Sequence, residues 1–128
     1  MNAEARESII LNYIAGYNQF DVEQMVQDFD SNIRFENVQN KVVTDTLQGI
    51  EEFVHQANEA KNYFTQRTQT ILKIEHFEYN SIIDISFQAV LAVDFSENLK
   101  AGDRLELLGQ SIFEFTEDHK IIKLIDIS

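Results

Sequence analysis

The stretch IIDISFQAVLAVDF, residues 82–95, alternates apolar and polar side chains almost without a break. Ile83, Ile85, Phe87, Ala89, Leu91, Val93 and Phe95 take every odd position, with Asp84, Ser86, Gln88 and Asp94 between them, which is the period of a strand with one buried face. From Ile83 to Phe95 the alternation covers thirteen positions. At ~3.3 Å per residue that is about 40 Å, roughly twice a usual strand. A strand of that length is expected to bend around something apolar, and the helical patterns upstream supply it. A curved sheet closed by helices leaves a conical hollow, a shape suited to small molecules.

Upstream, residues 3–19 repeat Ile10, Tyr13, Ile14 and Tyr17 at the helical interval, a stripe that turns both tyrosines inward. Asp21 with Gln24 three residues later has the capping-box spacing, and Val22, Met25, Val26 and Phe29 form the apolar side of a short second helix. Residues 32–38 read as a strand with Ile33, Phe35 and Asn37 on one face; Gln39-Asn40 turns the chain into a strand at 42–47. Gly49 opens a third helix whose core stripe is Ile50, Phe53, Val54, Ala57, Ala60 and Phe64. Strands at 68–79, 82–95, 104–115 and 120–127 complete the order ααββαββββ, separated by Asn80-Ser81, residues 96–103 and residues 117–119.

The length fits one domain, residues 1–128, able to bury about two-thirds of its unfolded surface. With 22 acidic residues against 10 basic ones the charge is −12, a field that repels phosphate backbones, so nucleic acid is not an expected partner. The lack of cysteine excludes disulfides, thiolate nucleophiles and sulfur-ligated zinc, and the three histidines lack the spacing of a metal set, so neither metal nor cofactor is expected. Residues 1–8 carry Glu4, Arg6 and Glu7 and no apolar signal core, and no apolar run approaches the ~20 residues of a membrane span. A soluble cytoplasmic protein without a membrane partner is expected.

Three strands place one polar residue on an otherwise apolar face: Asn37 after Ile33 and Phe35, Ser111 beside Phe113 and Phe115, and Asp126 after Ile122 and Leu124. Polar groups facing a core need hydrogen bonds, so these should converge with Tyr13 on each other, on water or on a ligand. Asp126 is the only carboxylate among them, and desolvation would raise its pKa toward the range of a general acid or base. The last strand has a second reading, with Ile121, Ile125 and Ile127 inward and Lys123 the exception. Its two apolar faces, with Leu108 and Ile112 opposite Ser111, suggest a homodimer contact. His55, flanked at i±4 by Glu51 and Glu59, reads as a solvated face, and His119 falls in a turn. His76 lines up with Leu72 and Ile74 on an apolar face, where a hydrogen-bonded histidine is expected.

The stretches YIAGYNQFDVEQMVQDFDSNIRFENV (13–38) and FEFTEDHKIIKLIDI (113–127), together with the element order, resemble the nuclear transport factor 2-like superfamily, in particular its SnoaL-like and ketosteroid-isomerase-like branches. The resemblance spans nearly the whole chain and rests on a helix ending in Asn18-x-x-Asp21, the Phe35 strand and a terminal aromatic hairpin. It implies an α+β, cystatin-like fold: a cone-shaped, strongly curved, mostly antiparallel sheet with three helices on its concave face. It also favours Asp126 inward. In the isomerase branch a first-helix Tyr and a protonated Asp stabilise an enolate while a second Asp moves the proton. Tyr13 matches that Tyr, but Asn37 stands at the base position and Ser111 at the second acid, so steroid isomerisation is not expected: an amide cannot accept and return a proton.

The expected function is a SnoaL-like domain binding a small, largely apolar molecule in the cone without the isomerase carboxylate pair. Tyr17, Phe35, Asn37 and Phe53 are expected around the ligand, with His76, Phe87, Ser111, Phe113 and Leu124. The alternative is a cofactor-independent isomerase, lyase or cyclase in which Tyr13 and Asp126 are catalytic.

Overall fold

In the computed structural model, which describes residues 2–128, helix α1 (Ala3–Asn18) begins where the Asn2 side chain accepts the Ala5 N–H at 2.8 Å. It ends before Phe20, whose φ of 59° turns the chain back. Asp21 then accepts the Gln24 N–H at 3.1 Å and starts α2 (Val22–Val26), as the capping-box spacing predicts. The two helices pack backbone to backbone. A β-carbon on Gly16 would stand 2.8 Å from the Met25 nitrogen, so glycine is required at this contact.

Phe29 belongs not to α2 but to strand β1 (Phe29–Gln39). Its ring is buried all the same, stacked 5.9 Å from Tyr13 and edge-on to Phe53 at 4.8 Å. An inward aromatic at a helix–strand junction satisfies either period, which is why apolar spacing extends the helix too far. β1 turns at Asn40-Lys41, one position later than expected and with both residues at positive φ, into β2 (Val42–Gln48). Gly49, at φ 87°, precedes α3 (Ile50–Ala60), which buries Phe53 and Ala57. The helical stripe stops at Ala60. Lys61–Tyr63 form a 3₁₀ turn, and Phe64 opens β3 (Phe64–His76).

Strands β4 (Asn80–Leu91), β5 (Arg104–Phe115) and β6 (Ile121–Ile127) complete a curved, mixed sheet ordered β2-β1-β6-β5-β4-β3. Every neighbouring pair is antiparallel except β1 and β6. The last strand therefore slots between β1 and β5 and joins the β1–β2 hairpin to the β3–β4–β5 meander. On one face of this sheet Ile10, Tyr13, Ile14 and Phe53 from the helices meet Ile33, Ile83, Phe113, Ile121 and Leu124.

Three departures from simple alternation shape the cone. β4 ends at Leu91, and the bonds from the Leu91 N–H to the Asp103 carbonyl and from the Ala92 N–H to that of Tyr63 are the last rungs of its ladders with β5 and β3. Val93 and Phe95 therefore lie outside the sheet and exposed, with Phe95 edge-on to Tyr63 at 5.3 Å. In β3 the register breaks between Ile71 and Lys73, a bulge at Leu72. Before it the odd residues Arg67 and Gln69 are buried; after it the even residues Ile74 and His76 turn inward, and Leu72 is 59% exposed. Leu72 and His76 thus do not share a face. In β6 a register shift beside Glu114 leaves Ile121 wholly buried, in the place expected for Ile122, with Leu124 and Asp126 following on the inward face.

Candidate functional site

Cross-strand pairing gathers the polar residues of the inward face into one row. Ser111 pairs with Asp126 across β5 and β6, Asp126 with Asn37 across β6 and β1, and Asn37 with Asp45 across β1 and β2. The Ser111 hydroxyl donates to Asp126 Oδ1 at 2.7 Å. Asn37 turns its amide the other way, donating from Nδ2 to Thr44 Oγ1 at 2.8 Å. Thr44 is the residue the ladder skips between Asp45 and Val43, so an irregularity in the hairpin draws Asn37 away from Asp126.

Two cavities meet at this row. The first, of about 180 Å³, is bounded by Tyr13, Tyr17, Phe35, Asn37, Phe53 and Asp126, together with Met25, Asp45, Leu47, Gln56, Ala57, Ala60 and Arg67. The second, of about 140 Å³, shares Tyr17, Asn37 and Asp126 and adds Gln69, Phe87, Gly109, Ser111 and Ile127 among its walls. Gly109 has a steric reason to lack a side chain, because a β-carbon there would stand 2.8 Å from the Ile127 carbonyl oxygen.

Burial pushes the Asp126 carboxyl up to about 6, against the opposing pull of the Ser111 hydroxyl. Tyr13 is raised well above the ordinary phenol range, first by burial and then by the negative charge of Asp126. Tyr17 is pushed up to about 12 by burial, with the Arg67 cation opposing. Both phenols therefore keep their protons near neutral pH and can donate them in hydrogen bonds, while the Asp126 carboxyl, at about 6, lies far closer to neutrality than an ordinary carboxylate.

Of the residues expected around a ligand, Tyr13, Tyr17, Phe35, Asn37, Phe53 and Asp126 bound the first cavity, and Phe87 and Ser111 the second. Phe113 and Leu124 are fully buried and bound neither; Phe113 supports Tyr13 edge-on at 5.7 Å. His76 is also absent from both walls. Its Nδ1 lies 2.7 Å from Ser81 Oγ, beside the buried Arg6, which donates to the carbonyls of Phe77, Glu78 and Asn80 and lies over the Phe115 ring at 5.5 Å. That cluster clasps the β3–β4 turn against α1. Among the described residues no group of His, Asp and Glu is arranged to hold a metal ion, and no helix is long and apolar enough to cross a membrane.

The backbone superposes on solved structures over almost its full length. Against a protein from Xanthomonas campestris pv. campestris named as a candidate polyketide cyclase, the TM-score is 0.85 at 11% identity, covering 100% of this chain and 93% of that one. A protein from Catenulispora acidiphila with a ketosteroid isomerase-like fold, in complex with trimethylamine, gives 0.73 at 12% identity over 92% and 82% of the two chains. TerC, co-crystallised with polyporic acid, gives 0.77 at 12% identity over 96% and 90%. The fold is nuclear transport factor 2-like. No family model and no curated protein matches the sequence. At such identities the likeness establishes the backbone alone, and within a nuclear transport factor 2-like cone the chemistry has to come from the side chains.

Arg67 and Gln69 are among the site residues that sequence reasoning missed, and the two that carry polar chemistry on β3. They stand opposite Ala89 and Phe87 of β4 on the inward face. Arg67 Nε donates to the Tyr17 carbonyl at 2.9 Å, and its guanidinium lies 3.8 Å from the Tyr17 ring centre and 4.6 Å from that of Phe20. Starting the strand at residue 68 leaves Arg67 out, and a charged residue so close to a helix end reads as solvated. The signal that finds it is positional: Arg67, Gln69 and Ile71 alternate on one face opposite the inward Phe87 and Ala89 of β4.

Proposed function

We propose that this chain binds a small, largely apolar molecule in the cone, with one polar end directed at Asp126. The observation that carries the reading is Asp126 itself, a carboxylate pushed up to about 6, bordering a cavity that has Tyr13, Tyr17, Phe35 and Phe53 in its walls. Solved neighbours of the same fold hold small molecules, polyporic acid in one and trimethylamine in another, which supports a ligand-binding cone. A library of cyclic ketones, lactones and polyketide-like acids, screened by NMR line broadening, tests the proposal. Hits are expected to shift Tyr13 and Phe53 resonances; hits that move only outer-face residues count against it.

The same carboxylate favours a second reading, cofactor-independent proton transfer of the isomerase, lyase or cyclase type. Tyr13 would donate to a carbonyl oxygen while Asp126 takes a carbon-bound proton and returns it. An Asp titrating near 6 suits both halves of such a transfer at neutral pH. Asn37 offers no proton-holding state, so steroid-type isomerisation is not proposed. If hits turn over, Asp126→Asn is expected to cut the rate by ~10²–10⁴-fold, the usual contribution of one general base. Equal turnover by that variant would remove Asp126 from the chemistry. For assembly we propose a homodimer through the outer face of the sheet, where Leu108 is 74% exposed and Ile112 lies on the same side of β5.

A further inference from the structure

Arg67 is a buried cation without an anion. The residue is only 4% exposed, and no ion pair among the described residues includes it. The aromatic rings of Tyr17 and Phe20 take the guanidinium within 3.8 and 4.6 Å of their centres, and the Tyr17 carbonyl takes Nε. Nη2 is left buried with no partner. Two positions along β3, Gln69 Oε1 is likewise buried and unpartnered. Arg67 bounds the first cavity and Gln69 the second, so both residues belong to walls of the cone.

Taking a guanidinium out of water without pairing it is costly, and stacking on aromatic faces offsets only part of that cost. An oxyanion approaching edge-on meets the donors that stacking leaves free. The −12 net charge of the chain disfavours anions elsewhere on the molecule, and Asp126 repels them at its own side of the cavity. Arg67 is thus the point in the cone where a negative group is favoured.

We propose that Arg67 receives an anionic oxygen of the ligand, so that the molecule bound in the cone is a small, largely apolar acid: a carboxylate, or an enol or phenol acidic enough to ionise. The inference rests on the reading of the cone as a ligand site and narrows its chemical class. Tyr13 and Asp126 are left to the uncharged part of the same molecule.

Three matched pairs of probes test it: benzoate and benzamide, 2-naphthoate and 2-naphthamide, octanoate and octanamide, each titrated by calorimetry at pH 7.5. At least one acid should bind the parent ~10-fold or more tighter than its amide, the worth of one charge-assisted hydrogen bond. In Arg67→Met that preference should vanish while amide binding stays within about threefold; Arg67→Lys, which keeps the charge, should retain part of it. The acid, not the amide, should also move the Arg67 Nε–Hε resonance of the parent and leave that of Arg104 in place, a readout that decides the matter should Arg67→Met not fold. Equal affinities for acid and amide, or a preference that survives in Arg67→Met, would overturn the acid assignment and leave the ligand site standing. Binding of none of the six at millimolar concentration would overturn the ligand site and this inference with it.

Discussion

Ser111 and Asp126 face each other across β5 and β6, the Ser111 hydroxyl donating to Asp126 Oδ1 at 2.7 Å. That bond favours the carboxylate and burial opposes it; burial wins, leaving Asp126 at about 6.

The unfolded chain releases the Asp126 proton near the ordinary value of ~3.9. Between about pH 4 and 6 the folded protein therefore holds a proton that the unfolded chain has lost, and the contribution of this group to stability falls as pH rises through that window. Above pH 6 it persists as a penalty of ~3 kcal/mol. Asp126→Asn is expected to be more stable than the parent by up to about that amount at pH 7.5 and to lose its advantage at pH 4, as measured by urea unfolding. Ser111→Ala should move the Asp126 midpoint further up in carboxyl ¹³C NMR. A midpoint that falls instead would mean the Ser111 bond does not favour the charged form.

Phe53 and His55 lie on opposite faces of α3. Phe53 is buried edge-on to Phe29 at 4.8 Å and Phe35 at 5.5 Å, whereas His55 is exposed and pairs with Glu59 at 3.2 Å. Phe53→Ala should destabilise by about 3–5 kcal/mol, and His55→Ala by less than ~0.5 kcal/mol. Thermal melts check the pair, and equal shifts would mean that the helix face is wrongly assigned.

Ile112 and Leu108 test the assembly. Light scattering at about 50 µM should give twice the chain mass, and Ile112→Lys should shift it toward the monomer without lowering solubility. A parent that is monomeric at that concentration excludes the outer-face dimer.

The element order was legible because each helix and strand carries its period over several turns, as in Ile10, Tyr13 and Ile14 or in Ile33, Phe35 and Asn37. Those faces bring Tyr13, Asn37 and Ser111 together; for Asp126 the period leaves two faces of the last strand open, and the resemblance favours the inward one. Legibility failed where the backbone breaks its own period. The bulge at Leu72 reverses the inward face of β3, and a single sequence does not display a skipped partner. Leu72 was read onto the wrong face for that reason, whereas His76 turns inward with Ile74 as expected. Phe95 continues the alternation of β4 although the ladders stop at Leu91 and Ala92. Arg67 was hidden by chemistry rather than geometry: a charge reads as surface until two aromatic rings are seen to enclose it.

The parallel pairing of β6 with β1 has a consequence in time. Phe35 aligns with Leu124 and Asn37 with Asp126, partners separated by most of the chain, whereas the β1–β2 and β3–β4–β5 ladders form between consecutive strands. Contacts of such high order close late, since the loop entropy is lost before any pairing returns it. The hairpin and the meander should thus assemble first as separate pieces with bare edges, exposed to pairing with other chains. The step that seats β6 both covers those edges and carries Asp126 into its cavity, so loss of Ile121 or Leu124 packing should show as aggregation during refolding before it shows as a faulty site.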